Sequence, residues 1–145
     1  MHHVNINLAT SDDDVLACYP VLSTLRPTIS QSEFLSLVRR AEAGGYRLVC
    51  LRAYTEPVAV AGVRISENFA WGRFLYVDDL VTLDEHRSNG YGSTLLNWLR
   101  SYAKDAGCQQ LHLDSGMHRT DAHRFYQREG VNKTGYHFAE QLDLL

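Results

Sequence analysis

The sequence is short of cysteine and of long apolar runs. Its three cysteines, Cys18, Cys50 and Cys108, are odd in number, widely spaced and never arranged as CxxC. This spacing disfavours a disulfide framework or a zinc knuckle and is typical of reduced thiols. The longest dense apolar stretch, Val58 to Val63, is far too short to span a bilayer, and the first residues lack a signal-peptide pattern. We therefore expect a cytoplasmic protein without a membrane partner.

The sequence also lacks an excess of positive charge. Fourteen Lys and Arg residues face seventeen Asp and Glu residues, which gives a net charge of −3. A broad basic surface is what holds a nucleic-acid backbone or an anionic membrane, so neither partner is expected. Any phosphate-bearing ligand must therefore be held by a local group of donors.

No repeat, low-complexity tract or linker interrupts the 145 residues. That length suits a single domain over residues 1–145, and the 45% apolar content is enough for a core without a metal or disulfide. Alternating apolar residues predict a short strand over 4–8. Thr10 or Ser11 then caps a helix that ends before Pro27, and a second helix runs from Ser30 to the glycines 44–45.

Three β-rich segments follow, over 46–53, 58–65 and 71–82, with turns at 55–57 and 66–68. They predict an antiparallel meander. The rest of the chain instead alternates between predicted helices and strands.

After residue 90 a helix carries Tyr91, Leu95 and Leu99 on one stripe, and a strand over 110–114 comes next. A further helix ends at Gly130, and a closing strand begins over 136–138. A strand–helix–strand crossover usually joins parallel neighbours, so the whole order predicts an α/β sandwich on a mixed sheet.

A candidate phosphate-binding loop lies between the long strand and the next helix. It has the pattern RxxGxG and comprises Arg87, Ser88, Asn89, Gly90, Tyr91, Gly92 and Ser93. Glycines allow close approach of the backbone, and a helix start presents N–H groups and a positive dipole end. A P-loop is excluded because the segment has no Lys, and a dinucleotide fingerprint fails because Leu95 stands at its third glycine. The alternative is a glycine-bearing turn with an incidental arginine.

Three segments together give a more specific pattern. The strand Tyr76–Thr82, the loop just described, and Ala122–Tyr126 followed by Gly130 resemble the acyl-CoA elements of the GNAT superfamily of N-acetyltransferases. The resemblance is clear over about residues 74–138. It implies the acyl-CoA N-acyltransferase fold: an α/β architecture with a mixed, mostly antiparallel sheet, a splayed parallel strand pair and helices on both faces.

The resemblance also implies roles for individual residues, with acetyl-CoA as cosubstrate and no metal. The loop amides of residues 87–93 would hold the CoA pyrophosphate. The backbone of Leu80, Val81 and Thr82 would bind the pantetheine arm, and Tyr126 would lie near the sulfur. Arg119 stands where many members have an Asn that contacts the CoA arm, so that contact is in question.

Acetyl transfer needs a proton donor for the departing thiolate and an acceptor for the amine proton. Tyr126 suits the first role, although periodicity alone would make it a core residue on a stripe with Ala122 and Phe125. For the second role, a strand period of two places Asp78 and Asp79 on opposite faces, so one of them should point toward the cleft or a strand edge. Asp79 is the favoured one. Pairing with an arginine is the alternative for either aspartate. Glu85 and Asp114 remain further candidates for the proton acceptor.

The acceptor is less well defined by sequence. Phe69, Trp71, Tyr76 and the segment 25–34 are candidates for an amine pocket or, alternatively, for packing. We expect a small-molecule or peptide amine; a homodimer is a tendency of the family only. The rivals are a non-catalytic acyl-CoA sensor of the same fold and a metal-binding module. His112, His118 and His123 invite a metal site, but their spacing fits structural or substrate-contacting roles better.

Overall fold

Five strands of the described part of the chain form one sheet, and their spatial order follows the sequence. The computed structural model describes residues 3–143, which divide into two compact units, one ending at Leu113 and one beginning at Asp114. The strands all lie in the first unit: β1 (Val4–Leu8), β2 (Arg47–Ala53), β3 (Glu56–Asn68), β4 (Gly72–Thr82) and β5 (Gln110–Leu113). The helices are α1 (Asp12–Ala17), α2 (Tyr19–Leu25), α3 (Gln31–Ala43), α4 (Tyr91–Asp105) and, in the second unit, α5 (Thr120–Arg128).

The first predicted helix is two helices. Ser11 caps α1 as expected, with its Oγ accepting a bond from the Asp14 N–H, and three aspartates occupy the first turn. Cys18 then ends α1 and begins α2, because Pro20 in the first turn of α2 cannot donate a backbone hydrogen bond to a continuous helix. The third helix, α3, ends at Gly44 as predicted.

The meander is confirmed, but both predicted turns are misplaced. The pair Ala53–Glu56 closes the β2–β3 hairpin over Tyr54 and Thr55, and Tyr54 takes a φ of 59°. Strand β3 continues through the predicted turn at 66–68, because cross-strand pairing extends to Asn68 and Gly72. The β3–β4 turn therefore lies at 69–71.

Strands β4 and β5 are parallel neighbours joined by the crossover helix α4, as the sequence predicts. Their pairing runs only from Phe74–Gln110 to Val77–Leu113, where β5 ends. Residues 79–82 of β4 continue without a β5 partner while they remain paired with β3. Beyond Val77, the edge of β4 at Leu80, Val81 and Thr82 therefore has no neighbouring strand within residues 3–143, although the Thr82 carbonyl accepts a bond from Arg87.

Helices cover both faces of the sheet in the first unit. Leu95 and Leu99 of α4 pack on one face against residues such as Val49 and Leu75, all essentially unexposed. Helices α1, α2 and α3 cover the other face, where Phe34 packs in a cluster with Leu48. Burial of these apolar surfaces is the main stabilising force.

The second unit contains α5, which ends before Gly130 as expected. The predicted closing strand over 136–138 is wrong: no strand occurs between 130 and 143, and Tyr136 and Phe138 are exposed. Apolar alternation there finds no partner strand that would supply backbone hydrogen bonds. Within residues 3–143, no helix has both the length and the apolarity needed to cross a bilayer.

Candidate active site

A β-bulge interrupts β4 at Asp78. Gly62 of β3 pairs with Asp79, but the next residue, Val63, pairs with Val77, so Asp78 is an extra residue in the ladder. Because of this extra residue, side chains an even number of positions apart on the two sides of the bulge lie on opposite faces of the sheet. Val77 packs in the cluster beneath α4, whereas Val81 packs beneath α1, α2 and α3. The predicted strict alternation of Asp78 and Asp79 is therefore wrong at this position.

Asp79 is held by two donors on the face covered by α2 and α3. The Nε of Arg26, at the end of α2, donates to Oδ1 at 2.8 Å, and the Tyr46 hydroxyl donates to Oδ2 at 2.8 Å. The Asp79 side chain is only 12% exposed. One hydrogen bond to each oxygen leaves a second lone pair on each, so the carboxylate can still accept a proton or a further bond.

Asp78 forms a separate ion pair. Its Oδ2 lies 2.9 Å from Nη2 of Arg64 on β3, and its backbone carbonyl accepts a bond from Nη2 of Arg26 at 3.1 Å. Partial burial raises the pKa of the Asp78 carboxyl, and the Arg64 guanidinium opposes that rise. Each aspartate is thus paired with an arginine, which is the alternative that the sequence left open.

Tyr46 reaches Asp79 across a glycine. A Cβ placed on Gly62 would lie 1.8 Å from the Tyr46 hydroxyl oxygen, so the ring fits only because position 62 has no side chain. Burial raises the pKa of the Tyr46 phenol, and the negative charge of Asp79 raises it further. The phenol is therefore a stable neutral donor to Asp79.

A pocket of about 190 Å³ lies over Asp79 between α2, α3 and the sheet. Its walls are apolar and include Leu22, Ile29 and Leu37. Arg26, Tyr46 and Asp79 are its polar members. Part of the predicted segment 25–34 therefore does line a pocket, next to the favoured aspartate.

The candidate phosphate loop has the backbone conformation that an anion cradle needs. Ser88 and Gly90 have φ values of 73° and 79°, and Gly90 is the N-cap of α4. Gly90 has no side chain with which to cap α4, and the first backbone bond of the helix is donated by Thr94 to the Gly90 carbonyl. A Cβ at Gly90 would meet nothing within 4 Å, so the loop surface there is open. These features fit a bound pyrophosphate.

Arg87 joins this loop to the end of β4. Its Nε donates to the Thr82 carbonyl at 3.3 Å, and its Nη1 lies 2.8 Å from a carboxylate oxygen of Asp84. Both side chains of that ion pair are mostly exposed, so the pair is weak and an anion could compete for the guanidinium. The candidate phosphate loop thus adjoins the edge of β4 at residues 80–82.

Tyr126 and Arg119 lie in the second unit. Tyr126 is buried on α5, with its ring 5.5 Å from that of Phe125 in an edge-on arrangement. Burial raises the pKa of the Tyr126 phenol, and the Arg119 guanidinium partly opposes the rise. Arg119 is the N-cap of α5.

Other candidate residues make structural contacts. Trp71 stacks on His112 with ring centroids 3.5 Å apart, and His123 bonds the Gly116 carbonyl at 2.8 Å. Phe69 is fully exposed at the β3–β4 turn. In the part of the chain between residues 3 and 143, no group of three His, Cys, Asp or Glu side chains is placed to hold a metal ion.

Sequence reasoning missed Tyr46, and it included Arg26 only within the segment 25–34, without a role of its own. A signal for Tyr46 exists, because a glycine inside the apolar strand around Gly62 indicates close approach of another group. The signal for Arg26 is weaker: it is the one charged residue between Asp14 and Glu33. Nothing in its neighbours points to Asp79, 53 residues away.

Comparison with known proteins agrees with this geometry. The acetyltransferase (GNAT) family model matches residues 13–131. An uncharacterized N-acetyltransferase, YhdJ of Bacillus subtilis, is 32% identical over 124 residues, which cover 85% of this chain and 87% of that protein. An aminoalkylphosphonate N-acetyltransferase of Salmonella typhimurium is 38% identical over 66 residues, 46% of this chain and 43% of that protein.

Solved structures share the fold. The aminoglycoside N-acetyltransferase AAC(6')-Iy in complex with CoA superposes with a TM-score of 0.88 at 13% identity, over 99% of this chain and 97% of that one. Glucosamine-6-phosphate N-acetyltransferase from Arabidopsis thaliana gives 0.76 at 18% identity, over 97% and 99%. From the family match and the relatives together, the chain belongs to the GNAT acetyltransferase family and is an N-acetyltransferase of that family.

Proposed function

We propose that the protein transfers the acetyl group of acetyl-CoA to a primary amine by direct attack in a ternary complex. One observation carries the proposal: a helix start whose N-cap is the left-handed Gly90 follows directly on the part of β4 that extends beyond β5. The amides of residues 87–93 would hold the pyrophosphate, assisted by Arg87. The backbone of Leu80, Val81 and Thr82 would bind the pantetheine arm.

The side chains of this protein would move the two protons. As the amine nitrogen bonds to the acyl carbon, the carbon–sulfur bond breaks and the sulfur leaves as a thiolate. Tyr126 donates its phenolic proton to that thiolate, since a phenol kept neutral by burial remains protonated at working pH. Asp79 accepts the proton released by the nitrogen, directly or through one water, using a lone pair that Arg26 and Tyr46 leave unused.

The acceptor is a small molecule or a peptide amine under this proposal. One relative is named for aminoalkylphosphonates, and a fold neighbour is an aminoglycoside enzyme. We place the whole activity in one domain over residues 1–145. We also place it in the cytoplasm, where the free cysteines 18, 50 and 108 would stay reduced.

Two measurements test the proposal. Acetyl-CoA at a hundredfold excess over its dissociation constant should stabilise the protein by about 2.7 kcal/mol, or roughly 5–10 °C in Tm. A panel of amines, scored by release of the CoA thiol, should then identify an acceptor. Thermal stabilisation without thiol release from any amine would favour the alternative, a non-catalytic acyl-CoA sensor. No stabilisation at all would overturn both readings.

A further inference from the structure

The pocket over Asp79 contains one charged side chain with an unused hydrogen-bond donor. Arg26 donates through Nε to Asp79 and through Nη2 to the Asp78 carbonyl. Its Nη1 bonds to no residue between 3 and 143, and the side chain is half exposed. The guanidinium is therefore fixed at two nitrogens and presents the third to a ligand.

The carboxylates near the pocket are already balanced. Asp79 pairs with Arg26 and Asp78 pairs with Arg64, so the four side chains carry no net charge. A pocket that selects a polycationic amine would need unpaired carboxylates. The lone pairs left on Asp79 serve the amine itself, and the remaining unused donor belongs to a guanidinium, which binds carboxylate or phosphonate oxygens best.

The size and walls of the pocket restrict the rest of the ligand. Its volume of about 190 Å³ is below the ~300–1,000 Å³ of pockets for drug-sized ligands. The apolar walls from Leu22, Ile29 and Leu37 suit an aliphatic group. An oligosaccharide with several amines fits neither property.

The short distance between Arg26 and Asp79 limits how far apart the amine and the acidic group of the ligand can be. The Nε of Arg26 lies 2.8 Å from Asp79, the residue proposed to take the amine proton. A molecule that reaches both groups must therefore carry its amine and its acidic group only a few bonds apart.

We infer that the acceptor is a compact primary amine bearing a carboxylate or phosphonate, which the free Nη1 edge of Arg26 binds while its aliphatic part packs between α2 and α3. This inference rests on the proposed function and names its substrate class. It predicts that polyamines and aminoglycosides are poor acceptors of this protein.

Matched amines test the class on the unmodified protein. Leucine is compared with leucinamide, and 1-aminoethylphosphonate with alaninamide, so that the negative charge is lost while the amine stays. The acidic member of a pair should have a kcat/KM about 10- to 100-fold higher, the effect expected of a hydrogen-bonded charged group. The two pairs distinguish a carboxylate from a phosphonate, and spermidine serves as the polycation.

Substitution of Arg26 tests whether its side chain recognises the acidic group of the acceptor. Arg26→Gln should reduce the advantage of the acidic amine to near one, while Arg26→Lys should keep part of it. Arg40→Gln is the matched control, since Arg40 is an exposed arginine of α3 outside the pocket and its loss should leave the ratio unchanged. Because Arg26→Gln also disturbs Asp79, the ratio is measured at a pH above the amine pKa values of both members of a pair, where both amines arrive unprotonated and that disturbance acts on them equally.

The outcomes separate the two levels of the proposal. If acetyl-CoA binds and spermidine or the amides are acetylated better than the acidic amines, the inference is overturned and the proposed function stands. If no amine reacts, calorimetric titration of leucine and 1-aminoethylphosphonate into the CoA-saturated protein decides: binding that Arg26→Gln weakens supports the inference, and no binding overturns it. Absence of acetyl-CoA binding overturns the proposed function itself.

Discussion

Tyr46 and Asp79 are joined by a 2.8 Å hydrogen bond that passes over Gly62. The contact links the start of β2 to the residue just after the bulge in β4, across the central strand β3. Because Gly62 pairs directly with Asp79, the missing side chain creates the path that the phenol uses. The floor of the pocket thus depends on a residue that contributes no side-chain atoms to it.

Gly62→Ala should therefore displace the Tyr46 ring. The new Cβ would lie 1.8 Å from the phenol oxygen, so the ring must move and give up its hydrogen bond to Asp79. We expect a loss of about 1–3 kcal/mol in the free energy of unfolding, measured by urea denaturation. Gly135→Ala, where a Cβ meets nothing within 4 Å, should leave stability unchanged. Equal stability of the two variants would show that the ring can move without cost.

Tyr46 should also make stability sensitive to alkaline pH. Its folded pKa is raised by burial, so its contribution is fully present below the ordinary phenol pKa of ~10. As pH rises above that value the unfolded chain ionises first, and stability falls by up to about 1.4 kcal/mol per pH unit. Tyr46→Phe should reduce the slope of stability against pH above 10. An unchanged slope would mean that the phenol ionises as easily in the folded protein as in the unfolded chain.

Gly90→Val should abolish acetyl-CoA binding. A branched side chain at a φ of 79° is strained by roughly 1–2 kcal/mol and would cover the open face of the cradle. Gly45→Val is the matched control, because Gly45 has a φ of 99°, equally open surroundings and a place beyond the end of α3. Both variants should lose stability, but only Gly90→Val should lose the acetyl-CoA-dependent rise in Tm. Retained binding by Gly90→Val would remove the loop from the cofactor site.

Tyr126→Phe should lower kcat by about 10²–10⁴-fold, the range for loss of a general acid, with little change in the KM for acetyl-CoA. Because the pKa of Tyr126 is raised, the wild-type rate should not fall from loss of this acid until the pH is above ~10. Tyr136→Phe tests the same chemical change at an exposed residue and should be neutral. A full rate in Tyr126→Phe, with an identified acceptor, would assign the proton to another donor.

Asp79→Asn should slow the reaction most at neutral pH. The amide keeps the shape of the side chain but cannot take the amine proton, and it also leaves Arg26 without its charge partner. The deficit should shrink as the pH approaches the pKa of the amine, because the acceptor then arrives unprotonated. The measurement is a pH–rate profile of both proteins with one acceptor. A constant deficit at all pH values would indicate a structural role for Asp79.

Local chemistry made much of the fold predictable. The Ser11 cap, the glycine stop after α3, the meander and the crossover to β5 all follow from signals within a few residues of each element. The candidate loop was predictable for the same reason, since its glycines and arginine are contiguous. The family resemblance depends on the same short segments.

Long-range geometry was not predictable in this way. The bulge at Asp78 adds one residue to a strand that is rich in β-formers on both sides, so counting by two gives no sign of it. The Arg26–Asp79 pair joins positions 53 residues apart, and only the packing of α2 on the sheet brings them together. The missing closing strand after Gly130 shows the reverse case, in which apolar alternation was present but no partner strand met it.

The bulge makes the number of residues in β4 as important as their identity. Deleting Asp78 would remove the bulge and leave the pairs Val77–Val63 and Gly62–Asp79 intact, whereas inserting one residue between Asp79 and Leu80 would turn the backbone of the following residues by half a period. After that insertion, the N–H and C=O groups of residues 80–82 that now face the open edge would face β3, and the reverse. A frame-preserving insertion of one codon could therefore destroy the edge proposed to bind the pantetheine arm while every residue named for it remained in the chain.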